Sequence, residues 1–299
     1  MNTRPAIART PARRLAFALA ARGVTAAVRT VLSAPSLAAF ALALALARAA
    51  GAQDFSPAAA PGPQPGPAAL LDRALPVADE RLAAEAGAAR WFALPELGTK
   101  AVSLLVPARS LRVAAGLSQT GDGELGWTCA ALAAGAAAGD FGFALRVAAR
   151  RDRAGCALMT SAAAAGVGAE AGGGAWMAPV EGALLWASAP QLWTRGEAPP
   201  LARPLELGAR FESGALSAWL AIGAPRDGDD GARGAGVALS QGPLSVWAEG
   251  RDAPARAAVG LVAEAGPLRV AARIEGHPVL GETTHLSLAL RRGPARSAP

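Results

Sequence analysis

The sequence predicts an all-β protein: an antiparallel up-and-down transmembrane β-barrel of about 12 strands, preceded by a short helical or irregular N-terminal segment. Three observations predict it. The chain begins with an Arg-containing apolar leader, apolar and polar residues alternate in many runs between residues 111 and 291, and turn-forming residues separate the runs. A two-residue period places one set of side chains on each face of a strand.

Residues 1–52 are expected to be an export signal. An Arg-rich start is followed by an apolar stretch at residues 31–47, and Ala50-Gly51-Ala52 then offers a cleavage site before Gln53. The alternative is a retained transmembrane anchor. The apolar stretch is shorter than the ~20 residues that a spanning helix needs, so cleavage is favoured.

The basic balance of the chain belongs to this leader. The formal net charge is +6, with 29 basic and 23 acidic residues, and residues 1–52 hold seven Arg and no acid. The remainder therefore has 29 − 7 = 22 basic residues against 23 acidic ones, a net charge of −1. This charge gives no reason to expect a nucleic-acid partner.

Residues 53–82 are expected to form a disordered linker and a short helical segment. Residues 53–67 are rich in Pro, Ala and Gly, and Pro76 limits residues 68–90 to at most two short helical pieces. Residues 91–97 form an apolar knot that we expect just before the first strand, packed against the sheet or plugging one end of it.

Residues 83–292 are assigned to the barrel and residues 293–299 to a C-terminal tail. The clearest alternation lies in residues 244–248, 257–263, 268–274 and 286–290, and the same pattern begins at Leu111. Two weaker strands are expected within residues 155–170 and 175–187. Residues 189–204 contain four prolines and are expected to form a long loop.

Alternation alone fits both a membrane barrel and a soluble exported β-barrel or β-sandwich in the periplasm that binds a partner. A membrane barrel is favoured because the apolar face is mostly Leu, Val and Ala, the other face mixes small and charged residues, and the hairpins follow in series. Two features count against it: few aromatic residues, and a last strand that ends at Arg291-Arg292 without a terminal aromatic. A soluble core would require Leu244, Val246, Leu268, Val270, Leu286 and Leu288 to converge.

In a barrel, the charged face would line the lumen. The candidate lumen-lining residues are Arg112, Arg146, Arg150, Glu206, Arg210, Glu249, Glu264, Arg269, Arg273 and Glu275. Their arginines would attract anions in a water-filled pore. The favoured alternative is that the arginines pair with Glu206, Glu249, Glu264 and Glu275.

The order of segments resembles the FadL/PorV-like superfamily of Gram-negative outer-membrane barrels. A leader precedes a small-residue-rich segment, residues 86–97, and then serial hairpins, so the resemblance covers residues 83–292. Leu94-Pro95-Glu96-Leu97 stands where an Asn-Pro-Ala-Gly-Leu-type motif is usual, without its Asn and Gly. The resemblance implies transport of hydrophobic compounds or a role in secretion.

The sequence offers no catalytic constellation, cofactor motif or strong metal site. His277 and His285, with Glu282, could approach each other across a turn, but two polar residues at a barrel rim are the commoner case. Cys129 and Cys156 lie two strands apart and are expected to remain thiols. We therefore predict a non-enzymatic outer-membrane barrel, acting as a channel, a transporter or an envelope scaffold, that contacts membrane lipid and a solute or an envelope protein.

Overall fold

Fourteen strands account for most of the described residues. The computed structural model describes Phe55 and residues 60–77, 82–94, 98–108, 110–121, 125–154, 166–196, 205–223, 233–252 and 255–292. All of these belong to one compact unit, Ala43–Pro299. The predicted export signal and C-terminal tail lie outside the described residues.

The elements follow in chain order. A helix, α1, spans Pro67–Arg73, and a 3-10 helix spans Trp91–Ala93. The strands are β1 (Leu82–Arg90), β2 (Gly98–Ala108), β3 (Leu111–Gly121), β4 (Leu125–Ala138), β5 (Phe141–Ala154), β6 (Val167–Val180), β7 (Ala183–Gly196), β8 (Glu206–Ser213), β9 (Leu216–Gly223), β10 (Arg233–Gln241), β11 (Leu244–Asp252), β12 (Ala255–Ala265), β13 (Leu268–His277) and β14 (Gly281–Arg292). Within the described part of the chain, neither helix is long and apolar enough to cross a bilayer.

The strands form a closed antiparallel barrel. Each strand pairs with its sequence neighbours, and β1 also pairs with β14, with Leu82 opposite Arg292. The predicted barrel is thus confirmed, but the described residues contain fourteen strands instead of about 12. The clearest addition is β1, which lies before the apolar knot, whereas the sequence places the first strand after it. Strand β1 reads Leu-Ala-Ala-Glu-Ala-Gly-Ala-Ala-Arg, and its many alanines favour a helix locally and hide the alternation.

The two ends of the barrel differ in their connections. At the end where β1 begins and β14 ends, all six connections contain two residues; we call this the short-turn end. Five of these turns contain a glycine with a φ between 56° and 75°, a conformation that costs other residues energy. At the opposite end, the long-loop end, the connections contain two to twelve residues.

Large apolar side chains cover the outside of the barrel. Leu244, Val246, Val270, Leu286 and Leu288 are all exposed, and Leu268 is half-buried. These residues therefore do not converge on an enclosed core, as a soluble barrel would require. In β4 the alternation of Leu125, Trp127, Cys129 and Ala131 predicts that these residues face outward, but Cys129 and Ala131 are buried and Leu132 faces outward instead.

The N-terminal part of the described chain differs from what its composition suggests. Residues 60–67 were predicted to be disordered, yet most of them are buried, as is Phe55. The apolar knot also lies elsewhere: Trp91–Ala93 follows β1 and does not precede the first strand. Its Phe92 amide donates to Thr283 Oγ1 at 3.2 Å, so this turn closes over the hairpin of β13 and β14.

The loop predicted for residues 189–204 is partly a strand. Its first part, residues 189–196, belongs to β7. The pairing with β6 shifts between Ala171 and Gly173, which leaves Pro190 at a bulge. A bulge is a place where a sheet tolerates proline, because the missing N–H is not needed there.

Candidate functional site: the lumen and the segment inside it

A segment from the N-terminal part of the chain occupies the interior of the barrel. This lumen segment, residues 60–77, contains α1 and contacts inward-facing residues of several strands. Leu70, Leu71 and Leu75 are among the most deeply buried side chains of the structure. The void beside Phe55 and Glu85 measures about 10 Å³, roughly the space of one water molecule. This side of the lumen is therefore filled.

Small residues of the inner wall make room for the segment. A Cβ built on Gly116 would lie 2.5 Å from the Phe55 ring, and one on Gly174 would lie 2.6 Å from the Ala74 carbonyl oxygen. These approaches are closer than any side chain allows, so both positions require glycine. At these two positions, the small residues of the polar face are explained by what the lumen contains.

Polar side chains of the wall bind the backbone of the segment. The last carbonyls of a helix have no partner within the helix. In α1, Arg146 Nε of β5 donates to the Leu71 carbonyl, and Ser188 Oγ of β7 donates to the Arg73 carbonyl. The helix end is thus satisfied by side chains from two strands of the barrel.

Three further contacts hold the segment on both sides of the helix. Trp176 Nε1 donates to the Pro76 carbonyl at 2.5 Å, and Arg269 NH1 donates to the Pro65 carbonyl at 3.2 Å. Glu85 accepts from the Ala68 amide at 3.4 Å. Strands β1, β5, β6, β7 and β13 all contribute, so the segment is bound around much of the wall.

Arg146 is the most buried of these anchors, with 1% of its surface exposed. Besides the Leu71 carbonyl, it donates to the Pro190 carbonyl at 3.1 Å and pairs with Glu170 at 2.5 Å. Gln191 also donates to Glu170. One guanidinium therefore joins the lumen segment to the bulge of β7.

Four tryptophans on the inner face lie directly opposite glycines of a neighbouring strand. The pairs are Trp176 with Gly142, Trp186 with Gly208, Trp219 with Gly236, and Trp247 with Gly260. A Cβ on any of these glycines would lie 2.0–2.3 Å from the indole ring. Each ring therefore packs closely against the neighbouring strand, and these four buried rings line the inner wall from β5 to β12.

A charged cluster occupies the inner wall toward the long-loop end. Arg251 pairs with Glu249 and lies 3.9 Å from Glu206, and both Arg256 and Arg273 pair with Glu275. The Arg273 guanidinium also lies 5.5 Å from the centre of the Trp247 ring. Charges of both signs thus neutralise one another within this cluster.

The predicted lumen-lining residues all lie on strands, at positions that alternate with the outward apolar residues. Arg112, Arg146, Glu249, Arg269 and Glu275 are buried; Arg150, Glu206, Arg210 and Arg273 are half-buried; Glu264 is exposed at the short-turn end.

Their pairing follows the expected partners only in places. Arg269 lies 3.5 Å from Glu264, and Arg273 binds Glu275. Arg150 and Arg210 instead pair with Asp152 and Glu212, each two residues further along the same strand. Short-range partners of this kind are not singled out by the charge pattern.

The two histidines have separate surroundings. His285 is buried and meets the edge of Trp91 at 5.2 Å between ring centroids. His277 Nδ1 accepts from the amides of Val279 and Leu280 in the turn between β13 and β14. No group of three or more His, Cys, Asp or Glu suited to a metal occurs among the described residues.

Of the two cysteines, Cys129 is buried against the apolar cluster around Phe55 and forms no disulfide. Cys156 lies outside the described residues. Ser188, Trp176 and Glu85 were not identified from the sequence as functional. The one signal for Trp176 is its place beside Gly, Ala and charged residues, where a large aromatic side chain is unusual.

Comparisons with known proteins give no family. No protein-family model and no curated protein matches the chain. Solved structures that resemble it include a triple mutant of the Rhodopseudomonas blastica porin, with a TM-score of 0.38, 9% identity, and coverage of 71% of this chain and 99% of that one. A mutant of the TodX monoaromatic hydrocarbon channel has a TM-score of 0.49 and 10% identity, with coverage of 76% of this chain and 93% of that one. The Acinetobacter baumannii outer membrane protein Omp33 has a TM-score of 0.43 and 10% identity, with coverage of 71% of this chain and 97% of that one.

Proposed function

We propose that the chain is a non-enzymatic outer-membrane β-barrel that acts as a channel closed by its own lumen segment. The observation that carries this proposal is the division of the closed sheet into two faces. Large apolar side chains are exposed on the outside, while arginines, glutamates and a bound segment fill the inside. A bilayer stabilises such an outer face, whereas water does not.

The outer face is free of charge where hydrocarbon would surround it. Its charged residues in the described strands lie near strand ends: Arg90, Lys100, Arg151, Arg195, Arg233, Asp252, Glu282 and Arg292. The ten residue-to-residue steps from Phe141 to Arg151 in β5, at about 3.4 Å each and with a tilt of about 40°, span roughly 26 Å along the barrel axis. This height matches the apolar band of about 25 Å that surrounds outer-membrane barrels.

The connections assign a direction. Outer-membrane barrels have short turns on the periplasmic side and longer loops outside. We therefore place the short-turn end, with the start of β1 and the end of β14, in the periplasm. The alternative, a soluble periplasmic binding protein, is disfavoured because its core would have to be made by side chains that are exposed on the outside.

The lumen segment controls passage in this proposal. The ten candidate lumen-lining residues face the same interior, and Arg146 and Arg269 among them bind the segment directly. While these contacts hold, no wide aqueous path remains beside Phe55. A solute can pass only when the segment moves. The tryptophan-lined wall favours a solute with apolar or aromatic parts, as membership of the FadL/PorV-like superfamily would also imply.

Membrane extraction tests the location. Membranes from cells that express the full chain are washed with alkaline carbonate, and we expect the protein to remain until detergent is added. A folded barrel should also migrate faster on a gel before boiling than after it. Release by carbonate alone would show that the chain does not span the membrane.

Conductance tests the channel. The full chain, reconstituted into planar bilayers, is expected to conduct little in its resting state and to open after the lumen segment is loosened, as by the Arg146 variant described in the Discussion. A barrel that conducts at the level of an open porin without any change to the segment would contradict the closure.

A further inference from the structure

The outer wall of β5, β6 and β7 carries an isolated basic pair at the long-loop end. Arg151 of β5 and Arg195 of β7 are both exposed on the outside. Neither has an ion pair with a described residue. The other described outward-facing side chains of these three strands are apolar, with no carboxylate among them. Among the described side chains of these strands, the pair is therefore a positive charge on an otherwise apolar surface.

The register places the two arginines on either side of β6. Arg151 lies opposite Val167 of β6, and Arg195 lies opposite Ala169 of the same strand. Two strand spacings of about 4.8 Å and one step of two residues, about 6.8 Å, separate their Cα atoms by roughly 12 Å. Val167 and Ala169 of β6 lie between them and carry no polar group, so both long guanidinium side chains can reach one ligand across these two residues.

An aromatic side chain completes the arrangement. Trp193 lies two residues before Arg195 on the same face, opposite Ala171, and 51% of its surface is exposed. Tryptophan is enriched where lipid headgroups meet the acyl chains, because its ring is apolar and its N–H is polar. Trp193 lies two residues closer to the middle of the bilayer than Arg195, which is the order expected where headgroups lie above the acyl chains.

We propose that Arg151, Arg195 and Trp193 form a binding site for a phosphate-bearing lipid headgroup in the leaflet on the long-loop side. Arginine binds phosphate oxygens in a bidentate manner, and the pair supplies two guanidinium groups at the level of the headgroups. The acyl chains of the same lipid would lie below, along Trp193, Val147 and Leu145. This inference rests on the proposed location of the barrel in a membrane.

Lipid retention tests the site. The full chain is transferred into bilayer nanodiscs of phosphatidylcholine with a minor fraction of phosphatidic acid, and lipids that remain bound after release are counted by native mass spectrometry. We expect preferential retention of phosphatidic acid, and a loss of at least tenfold in the double variant Arg151→Gln with Arg195→Gln. Both residues are exposed, so the fold should be unaffected, which migration of the unboiled barrel on a gel confirms.

A matched control removes the same charge elsewhere on the same rim. Arg90 and Lys100 also face outward near the long-loop end, but outward-facing Glu282 lies close to Arg90 across the seam. The double variant Arg90→Gln with Lys100→Gln is expected to retain phosphatidic acid to within twofold of the unsubstituted chain. Equal loss in both double variants, or equal retention of both lipids by the original chain, would overturn the site. Failure to insert into phosphatidylcholine alone would instead contradict the proposed function.

Discussion

Replacing Arg146 by Met tests whether the lumen segment closes the barrel. Met is unbranched and apolar but shorter than Arg, and it cannot donate to the Leu71 carbonyl, which is buried at the end of α1. A hydrogen bond from a charged donor contributes about 1.5–3 kcal/mol. Since 1.4 kcal/mol corresponds to a tenfold change in an equilibrium constant, the fraction of chains with a released segment should rise by about 10- to 150-fold. Glu170 keeps its bond from Gln191, which limits the damage to the wall.

The assay is single-channel recording of the full chain in a planar bilayer, with amide hydrogen exchange at residues 68–74 as a second readout. Both conductance and exchange should rise in Arg146→Met. The matched control is Arg210→Met, because Arg210 also faces inward but pairs with Glu212 on its own strand. Increased exchange without increased conductance would show that release does not open the lumen. Unchanged exchange would show that Arg146 does not hold the segment.

Three further predictions concern single contacts. Ser188→Ala removes one hydrogen bond from a neutral donor to the lumen segment, which contributes about 0.5–1.5 kcal/mol, so conductance should rise about two- to tenfold. A larger rise than in the Arg146 variant would contradict the inference that Arg146 holds the segment more strongly than Ser188. Gly208→Ala places a Cβ 2.0 Å from Trp186 and should cost about 1–3 kcal/mol, seen as a lower unfolding temperature of the unboiled barrel. The control is Gly250→Ala, whose new Cβ meets nothing within 4 Å and should leave the unfolding temperature unchanged. An equal fall in unfolding temperature in both variants would refute the inference that Gly208 is required by Trp186. Trp91→Ala should cost less than the ~3–5 kcal/mol of a fully buried Trp and should raise hydrogen exchange at residues 281–285, whereas a uniform rise around the barrel would count against its local role.

The outer face of the barrel could be predicted because its pattern is local. In β13, Leu268, Val270 and Ile274 alternate with Arg269 and Arg273, and period two alone separates the faces. β4 shows the limit of this reasoning. Its Trp127 and Cys129 face inward, where Trp127 lies under the Arg150 guanidinium at 4.9 Å and Cys129 packs near Phe55. The pattern could not show that the lumen contains an apolar partner.

The lumen segment itself could not be predicted for a related reason. Its Pro, Gly and Ala composition resembles that of a linker, and nothing within residues 60–77 indicates what binds it. Its partners, Arg146, Ser188 and Arg269, are 75 to 204 positions away in the chain. Only the closed sheet brings them together. Charge alternation identified Arg146 and Arg269 as inward-facing, but their acceptors are backbone carbonyls, which sequence does not distinguish.

The seam between β1 and β14 has a consequence for the order of assembly. It pairs Leu82 with Arg292, 210 positions later, so it is the most distant pairing among the described strands and the last of them that a growing polypeptide can complete. The lumen segment immediately precedes β1 and is synthesised before any strand of the wall. It must therefore either be in place when the ring closes or be threaded in through an end afterwards. Because long-range pairing forms slowly, the open sheet has time to bind the segment first, and the final strand then traps it.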